Sequence, residues 1–311
     1  MALKIAFVNN KGGSTKTTSV VNLAGAINVM HPKARIAIVD NDGQGNASRS
    51  FGKNPRDYED TMYDVFMGTK ELKDVVQKDI YENIDILPAN TDMNFFEFDK
   101  MKDYEEEFTV STFQLIKGLA ERGFDFTNLD LSTWREMIPD EISITQNYFN
   151  LLEGKFEQLD KEYDVIIFDT PPEIKSVTSS VIAVADTIVI PYEPEIYSVD
   201  GIVNILDRIK YIKEEYNPKL QIAGLLPVKV RANTNVHADT MLKVIGYANT
   251  IGIPFFSTSI PNTIKFSTST ASRGLPATLG RKVKSSEDLV HSYFNLLEEM
   301  ENKGIINFDN I

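Results

Sequence analysis

Near its N-terminus the chain reads Asn9-Asn10-Lys11-Gly12-Gly13-Ser14-Thr15-Lys16-Thr17-Thr18. This polar stretch follows the apolar run Ile5–Val8 and precedes a segment in which apolar residues have helical spacing. A strand, a glycine turn and a helix in this order form a phosphate-binding loop, because the first backbone N–H groups of the helix point at an anion. The sequence therefore predicts a nucleotide site at residues 9–18.

The loop departs from the general pattern G-x-x-x-x-G-K-[ST] at both glycines. Asn10 occupies the first glycine position and Thr15 the second, and lysines stand at both 11 and 16. A β-branched residue is costly where a loop backbone must turn sharply or approach a phosphate closely. Thr15 leaves two hypotheses open: that hydrolysis is unusually slow, or that nucleotide binding survives with little penalty.

Two other apolar runs end in carboxylates. Ile36–Val39 is followed by Asp40 and Asp42, and Val165–Phe168 is followed by Asp169. In open α/β sheets ligands bind at the carboxyl ends of the strands. An aspartate at that position can hold Mg²⁺ through water, as in nucleotide hydrolases.

Short Val- and Ile-rich runs alternate with helical patterns along the chain. This alternation predicts an α/β fold with a mainly parallel, twisted sheet and helices on both faces. The predicted strands are Ile5–Val8, Ile36–Val39, Ile84–Leu87, Val165–Phe168, Thr187–Ile190 and Ile222–Leu226. The predicted helices lie near 16–29, 101–118, 147–160, 174–183, 199–215, 238–250 and 285–302. We expect a single domain over residues 1–311, with an insertion at about 119–146.

Composition narrows the class of protein. The chain has 311 residues and no cysteine, which excludes disulfides, thiolate metal sites and cysteine nucleophiles. No apolar run is as long as a membrane span, and the first strand leaves no room for a signal peptide, so we expect a cytoplasmic protein with no membrane attachment.

Charge is distributed unevenly around the net value of −13. Residues 51–170 contain 12 basic and 28 acidic side chains, whereas residues 201–290 contain 12 basic and 6 acidic ones. This asymmetry indicates either a local basic face on an acidic body or a solvated surface with a chance excess of lysine.

The motifs together resemble the ParA/MinD family of P-loop ATPases with a deviant Walker A motif, of the SIMIBI class, and most closely ParA-type partition ATPases. The matching segments are residues 9–18, Asp40-x-Asp42-x-Gln44-Gly45-Asn46 and Asp169-Thr170-Pro171-Pro172. Looser matches are Ala185 to Gly201 and Ser259 to Pro276. The resemblance covers about residues 1–50 and 160–280.

The resemblance implies ATP and Mg²⁺ as cofactors and assigns roles to individual residues. Lys16 is similar to the ordinary phosphate-loop lysine, and Lys11 to a signature lysine that reaches the partner's nucleotide in a sandwich dimer. Asp42 would orient or activate the attacking water. Thr17, Asp40 and Asp169 would support Mg²⁺, the aspartates through water. The nucleotide-binding set is Lys11, Gly12, Gly13, Ser14, Thr15, Lys16, Thr17, Thr18, Asn235, Pro261 and Asn262.

The resemblance also implies partners: a second copy of the chain, nonspecific DNA and a ParB-like centromere-binding protein that stimulates hydrolysis and release. A nucleoid-associated protein is then expected. The predicted DNA-binding residues lie in the basic quarter of the chain and are Lys265, Arg273, Arg281, Lys282 and Lys284.

Two alternatives to an ATP-dependent DNA-segregation ATPase remain at this stage. A MinD-like division-site ATPase would use a basic amphipathic C-terminal helix on the membrane, which the acidic tail Glu298–Glu301 does not favour. A very slow, nucleotide-gated DNA-binding scaffold is the alternative that Thr15 suggests.

Overall fold

The computed structural model describes residues 1–126, 130, 149–195, 198–231, 235–279 and 289–308. By its contacts the chain divides into two compact units. The first comprises Met1–Met93 and Phe149–Ile311, and the second comprises Asn94–Tyr148. The insertion predicted at about 119–146 falls in the second unit, mostly outside the described residues, and the single-domain assignment stays a prediction.

A seven-stranded sheet forms the centre of the first unit. Its strands are β1 Leu3–Phe7, β2 Ile36–Asp40, β3 Gln77–Tyr81, β4 Ile84–Leu87, β5 Val165–Asp169, β6 Thr187–Tyr192 and β7 Gln221–Pro227. Their order across the sheet is β3-β4-β2-β5-β1-β6-β7. All neighbouring pairs are parallel except β3 and β4. The predicted α/β fold with a mainly parallel sheet is confirmed.

Helices follow most of the strands. In the first unit they are α1 Lys16–Met30, α2 Asn46–Ser50, α3 Met62–Met67, α4 Leu72–Val75, α6 Leu159–Glu162, α7 Ser176–Val184, α8 Ser198–Glu215, α9 Asn235–Ile251, α10 Lys265–Arg273 and α11 Ser292–Asn302. The second unit contains α5 Phe96–Glu121. Short 3₁₀ turns occur at Pro55–Asp57, Thr91–Phe95 and Leu289–His291.

The central strands are buried on both sides because helices cover them. Every residue of β2 and β5 is buried, as expected for parallel strands with apolar runs rather than alternation. α1 is also largely buried and packs against α11. The carboxyl ends of β1, β2 and β5 are therefore fixed relative to one another by a packed core.

The structure differs from the predictions in one helix and in several missed elements, which include the short helices α2, α3 and α4. The helix predicted at 147–160 is wrong over residues 149–158, where the chain makes turns that include Gly154 at φ 72°; only Leu159–Glu162 is helical. β3 was not predicted, since its residues are polar and only partly buried. α10 was also missed, because its Ser- and Thr-rich sequence has low helix propensity.

None of the helices in the described part of the chain is long and apolar enough to cross a membrane.

Candidate nucleotide-binding site

The predicted phosphate loop meets two of the predicted aspartates, Asp40 and Asp169, at the edge of the sheet where the parallel strands end. Asp40, the last residue of β2, lies directly opposite Asp169, the last residue of β5. On the other side of β5, Asp169 lies opposite Phe7 of β1, after which the loop begins. The parallel register thus brings together three segments that are far apart in the sequence.

The loop backbone is left-handed at two positions. Gly13 has φ 73°, which costs glycine little. Thr15, at the start of α1, has φ 60° and ψ 19°. Such a conformation is unfavourable for a β-branched residue and is found where the surrounding structure enforces it. The Thr15 backbone is glycine-like, and its buried hydroxyl has no hydrogen-bond partner.

Lys16 begins α1 and points back under the loop. Its Nζ donates to the carbonyl oxygen of Asn9 at 3.0 Å and lies 3.5 Å from that of Lys11. The residue is only 7% exposed. Burial lowers the pKa of Lys16, and the nearby carboxylates of Asp169 and Asp42 oppose that effect. A buried ammonium beneath an N–H-lined loop can attract phosphate strongly, since little water screens it.

Asp169 is the most unusual buried group of the site. It is fully buried, and neither carboxylate oxygen accepts a hydrogen bond of ordinary geometry. Burial raises the pKa of Asp169 to about 7, although the approach of the Thr17 hydroxyl counteracts part of this rise. A buried carboxylate with free lone pairs fits a cation as its missing partner.

Asp40 has a different environment from its neighbour. One carboxylate oxygen accepts from the Asp42 N–H and the other from the Ala47 N–H, each at 3.1 Å. These bonds fix the turn that carries Asp42. Burial, together with the charge of Asp169, raises the pKa of Asp40 well above its usual range. The geometry therefore gives Asp40 a role in holding the loop; its contribution to a metal site stays a prediction.

The donor set fits Mg²⁺ bound together with a nucleotide. Thr17 supplies a hydroxyl next to the unpartnered Asp169 carboxylate. Among the described residues no group of three His, Cys, Asp or Glu side chains could hold a metal ion alone. Mg²⁺ in nucleotide sites commonly keeps several waters and takes its remaining ligands from one or two side chains and the phosphates.

A cavity of about 700 Å³ opens above the loop. It is lined by residues 12–18 of the loop, by Asp42 and Gln44, and by α2 residues that include Arg49. Lys229 and one face of α10 also line it; the α10 residues are Phe266, Ser267, Thr270 and Ala271. The predicted water-orienting residue Asp42 is thus in the same cavity as Lys16 and Thr17.

Lys11 lies on the other side of the loop. It lines a second cavity of about 450 Å³, together with Glu193, Glu195 and the start of α8. Its Nζ is 2.5 Å from Glu195 Oε2 and 3.9 Å from Glu193 Oε2. Half of the Lys11 side chain is exposed, and the residue does not line the first cavity.

Three residues of the predicted nucleotide-binding set, Asn235, Pro261 and Asn262, do not line the larger cavity. Pro261 pairs with Val230, and the Asn262 N–H donates to the Val230 carbonyl oxygen at 2.9 Å. Asn235 begins α9, and its side chain lies outside the described residues. These three assignments stay predictions.

The predicted DNA-binding residues divide into two groups. Lys265 and Arg273 are exposed at the two ends of α10. Arg281, Lys282 and Lys284 lie outside the described residues.

Sequence reasoning missed two cations that face the larger cavity, Arg49 and Lys229. Arg49 lies within three residues of the Gln44-Gly45-Asn46 motif, so its position could have been inferred. Lys229 follows β7 and belongs to no motif; only its backbone conformation marks it, with φ 52°.

Similarity to known proteins agrees with this geometry. A family model described as an AAA domain matches residues 2–149 and 135–222. The chain is 31% identical over 284 residues to a ParA family protein of Mycoplasma pneumoniae, an alignment that covers 88% of both chains. The chain belongs to the ParA family. It is a ParA-like ATPase with a deviant phosphate loop.

Solved structures show the same fold at low identity. The ATP complex of a Cyanothece McdA variant has a TM-score of 0.70 at 17% identity, over 99% of this chain and 98% of that one. A putative plasmid partition protein from Borrelia burgdorferi, bound to AMPPNP, has a TM-score of 0.65 at 18% identity, over 97% and 100%.

Proposed function

We propose that this ParA-family protein is an ATP-dependent DNA-segregation ATPase for a plasmid or chromosome. ATP and Mg²⁺ bind in the larger cavity, and the ATP-bound chain forms a sandwich dimer on nonspecific DNA. A ParB-like centromere-binding protein then stimulates hydrolysis and release. The observation that carries the proposal is the cavity itself, which is lined by Lys16, Thr17 and Asp42. The unpartnered carboxylate of Asp169 lies next to Thr17.

In the proposed reaction, the residues of the site position the nucleotide and water or supply charge, and none of them forms a covalent bond with the phosphate. The loop N–H groups and Lys16 hold the phosphate chain, and Thr17 with Asp169 would hold Mg²⁺. Bound Mg²⁺ would neutralise charge that develops on the transferred phosphoryl group. Asp42 is held by the hydrogen bond from the Gln44 N–H to its Oδ1, at 2.9 Å, which leaves Oδ2 able to orient water.

Lys11 supports the dimer in the proposal. It is half exposed and lies beyond the cavity of its own chain, held by Glu195. A cation supplied by a second copy would complete the charge around the phosphates only after dimerisation, which suits slow basal hydrolysis.

α10 supports DNA binding. The face with Phe266, Ser267 and Thr270 lines the cavity, while Lys265 and Arg273 are exposed and the helix contains no acidic residue. One helix thus borders the nucleotide and presents cations. Contacts of exposed cations with DNA phosphates are independent of sequence and sensitive to salt. Placement at the nucleoid, in the cytoplasm, is part of the same proposal.

The test compares binding to random-sequence duplex DNA with ATP, with ADP and without nucleotide. We expect DNA binding and dimerisation only with ATP. Neutralising Lys265 and Arg273 should make the plot of log affinity against log salt concentration less steep by about 2, which is about one unit of slope for each lost phosphate contact. DNA binding that is identical in all three nucleotide conditions would contradict the proposal.

The left-handed Thr15 favours a second candidate, a nucleotide-gated DNA-binding scaffold with very slow turnover. If strain at Thr15 holds the loop away from its productive geometry, Thr15→Gly should raise steady-state ATP turnover and leave ATP-dependent DNA binding in place. Equal turnover of the variant and the parent would remove Thr15 as the cause of slow hydrolysis.

A further inference from the structure

Lys229 stands at the phosphate loop although no motif leads to it. It lines the larger cavity, and a Cβ built on Gly13 would lie 3.8 Å from its Nζ. Gly13 belongs to the part of the loop whose N–H groups face a bound phosphate. The ammonium group is therefore at the loop itself, in the same cavity as the buried Lys16.

The backbone of Lys229 is held in a conformation that lysine seldom adopts. Its φ is 52°, in the left-handed region. On one side the Val228 N–H donates to the Tyr192 carbonyl oxygen at 2.8 Å, and on the other the Val230 N–H donates to that of Ile260 at 3.0 Å. These bonds anchor the segment to β6 and to the strand-like residues near Ile260. Strain of this kind persists where the surroundings impose it and is concentrated at ligand sites.

Glu193 connects Lys229 to Lys11. Its Oε2 lies 3.4 Å from Lys229 Nζ and 3.9 Å from Lys11 Nζ, and its side chain is only 14% exposed. One carboxylate, placed just after β6, is thus shared by a lysine of the nucleotide cavity and by the lysine expected to reach a second copy. A phosphate chain at the loop would compete with Glu193 for Lys229.

We propose that Lys229 is a phosphate-binding residue of this chain's own nucleotide site. When a nucleoside triphosphate binds, the Lys229 ammonium leaves Glu193 and contacts the terminal phosphates instead. The proposal rests on the proposed function, because it requires nucleotide in the larger cavity. As Glu193 loses Lys229 to the nucleotide, its remaining ion-pair partner among the described residues is Lys11. The same carboxylate thus links occupancy of the site to the position of Lys11.

The test measures the dissociation constants of ATP, ADP and AMP, each with Mg²⁺, by titration calorimetry. The variant is Lys229→Asn, since asparagine is the residue best tolerated in the left-handed region after glycine. We expect the affinity for ATP to fall about 10- to 100-fold, as for a lost charge-assisted contact, with a smaller loss for ADP and little change for AMP. Lys229→Arg should restore most of the ATP affinity.

Lys210→Met is the matched control, because Lys210 is an exposed lysine on α8 that pairs with Glu214 at 3.9 Å, outside both cavities. Its ATP affinity should equal that of the wild-type chain. Glu193→Gln, which removes the competing carboxylate, should increase ATP affinity a few-fold and serves as an independent test that leaves Lys229 in place.

The outcomes separate the two proposals. Tight ATP binding by the wild-type chain, with the same affinity in Lys229→Asn, would overturn the role of Lys229 and leave the proposed function standing. Equal losses for ATP and AMP would also overturn it, because the contact would then not be to the terminal phosphates. Failure of the wild-type chain to bind ATP would overturn both.

Discussion

Two buried lysines at opposite ends of β1 have opposite surroundings. Lys4, at the start of the strand, is paired with Asp160 at 2.8 Å and lies 3.8 Å from Asp186. Lys16, in the loop beyond the end of the strand, contacts the carbonyl oxygens of Asn9 and Lys11. Within the described part of the chain it forms no ion pair within 4 Å. Both residues are about equally buried, so burial alone does not distinguish them.

Two buried aspartates repeat this contrast. Asp85 lies near the amino edge of the sheet, where the parallel strands begin. Its carboxylate accepts hydrogen bonds from the Tyr163 hydroxyl at 2.6 Å and the Asp79 N–H at 2.7 Å, and it pairs with Lys78 at 3.2 Å. At the carboxyl edge, the Asp169 carboxylate accepts no hydrogen bond of ordinary geometry. Charges with a full set of partners stabilise a fold, whereas a buried charge without them indicates a ligand. Lys4 and Asp85 at the amino edge therefore have their partners within the fold, whereas Lys16 and Asp169 at the carboxyl edge have the surroundings of ligand-binding groups.

The largest difference between the edges should appear in nucleotide binding by Lys16→Met. We expect ATP affinity to fall about 1,000-fold, or about 4 kcal/mol, because the phosphates lose their buried cation. The free energy of unfolding should change by only about 1 kcal/mol, since the side chain bonds only to carbonyl oxygens. Titration calorimetry and urea unfolding measure the two quantities; ATP binding at the wild-type level would contradict the assignment.

The reverse pattern is expected for Lys4→Met. Removing one partner of a buried pair leaves Asp160 unpaired and should lower the free energy of unfolding by about 3 kcal/mol. ATP affinity should not change. A loss of ATP affinity in the folded variant would show that the two edges are not independent.

Asp169→Asn should show how much free energy it costs to bury the charged Asp169 carboxylate. This cost appears in the pH dependence of the free energy of unfolding. The native pKa of about 7 exceeds the value near 4 in the unfolded chain, so the native state binds the extra proton between these values. The contribution of Asp169 to the free energy of unfolding of the wild type therefore falls as the pH rises from about 4 to about 7, and then levels off.

We accordingly expect Asp169→Asn, without Mg²⁺ or nucleotide, to be more stable than the wild type by about 2 kcal/mol at pH 8 and less stable by about 2 kcal/mol at pH 4. The pKa difference of about three units corresponds to about 4 kcal/mol, and burying the amide without partners costs about 2 kcal/mol at either pH. Urea unfolding across this range measures the difference. Asp85→Asn is the matched control and should be destabilising at pH 8, since it disturbs a satisfied network. A destabilised Asp169→Asn at pH 8 would contradict the contrast between the edges.

The smallest effect is expected at Thr15. Replacement by glycine relieves a left-handed conformation that costs a non-glycine residue about 1–2 kcal/mol, and the greater freedom of glycine in the unfolded chain offsets part of this. We expect Thr15→Gly to be more stable by about 1 kcal/mol or less, whereas Thr15→Ala should retain the strain. Equal stability of the alanine and glycine variants would show that Thr15 is not strained.

Local sequence patterns predicted most of the sheet and part of the candidate site. The apolar runs located six of the seven strands, and the residues just after them located Lys16, Thr17, Asp40 and Asp169, because parallel strands bring their carboxyl ends together. β3 escaped prediction because its stability comes from pairing with β4 and from the contacts of Lys78, which the polar sequence Gln77–Tyr81 does not reveal.

Lys229 escaped for a different reason. Its position depends on a left-handed backbone and on hydrogen bonds from its neighbours to Tyr192 and Ile260, residues 37 and 31 positions away in the sequence. Patterns of spacing carry no information about such contacts. The helix predicted at 147–160, which is wrong over residues 149–158, shows the same limit, since apolar spacing there is compatible with turns around Gly154.

The two edge strands, β3 and β7, form the margins of the sheet and affect how copies of this protein can assemble. At one margin β3 runs antiparallel, with a shifted register, a left-handed Asp79 and the charged side chain of Lys78. At the other, Leu225 of β7 exchanges hydrogen bonds with the segment Pro254–Phe256. Neither margin offers a straight run of free strand backbone, which is what edge-to-edge polymerisation of sheets requires. Growth of the sheet through its edges is thereby disfavoured, which is compatible with the dimer proposed above through the loops where Lys11 is exposed.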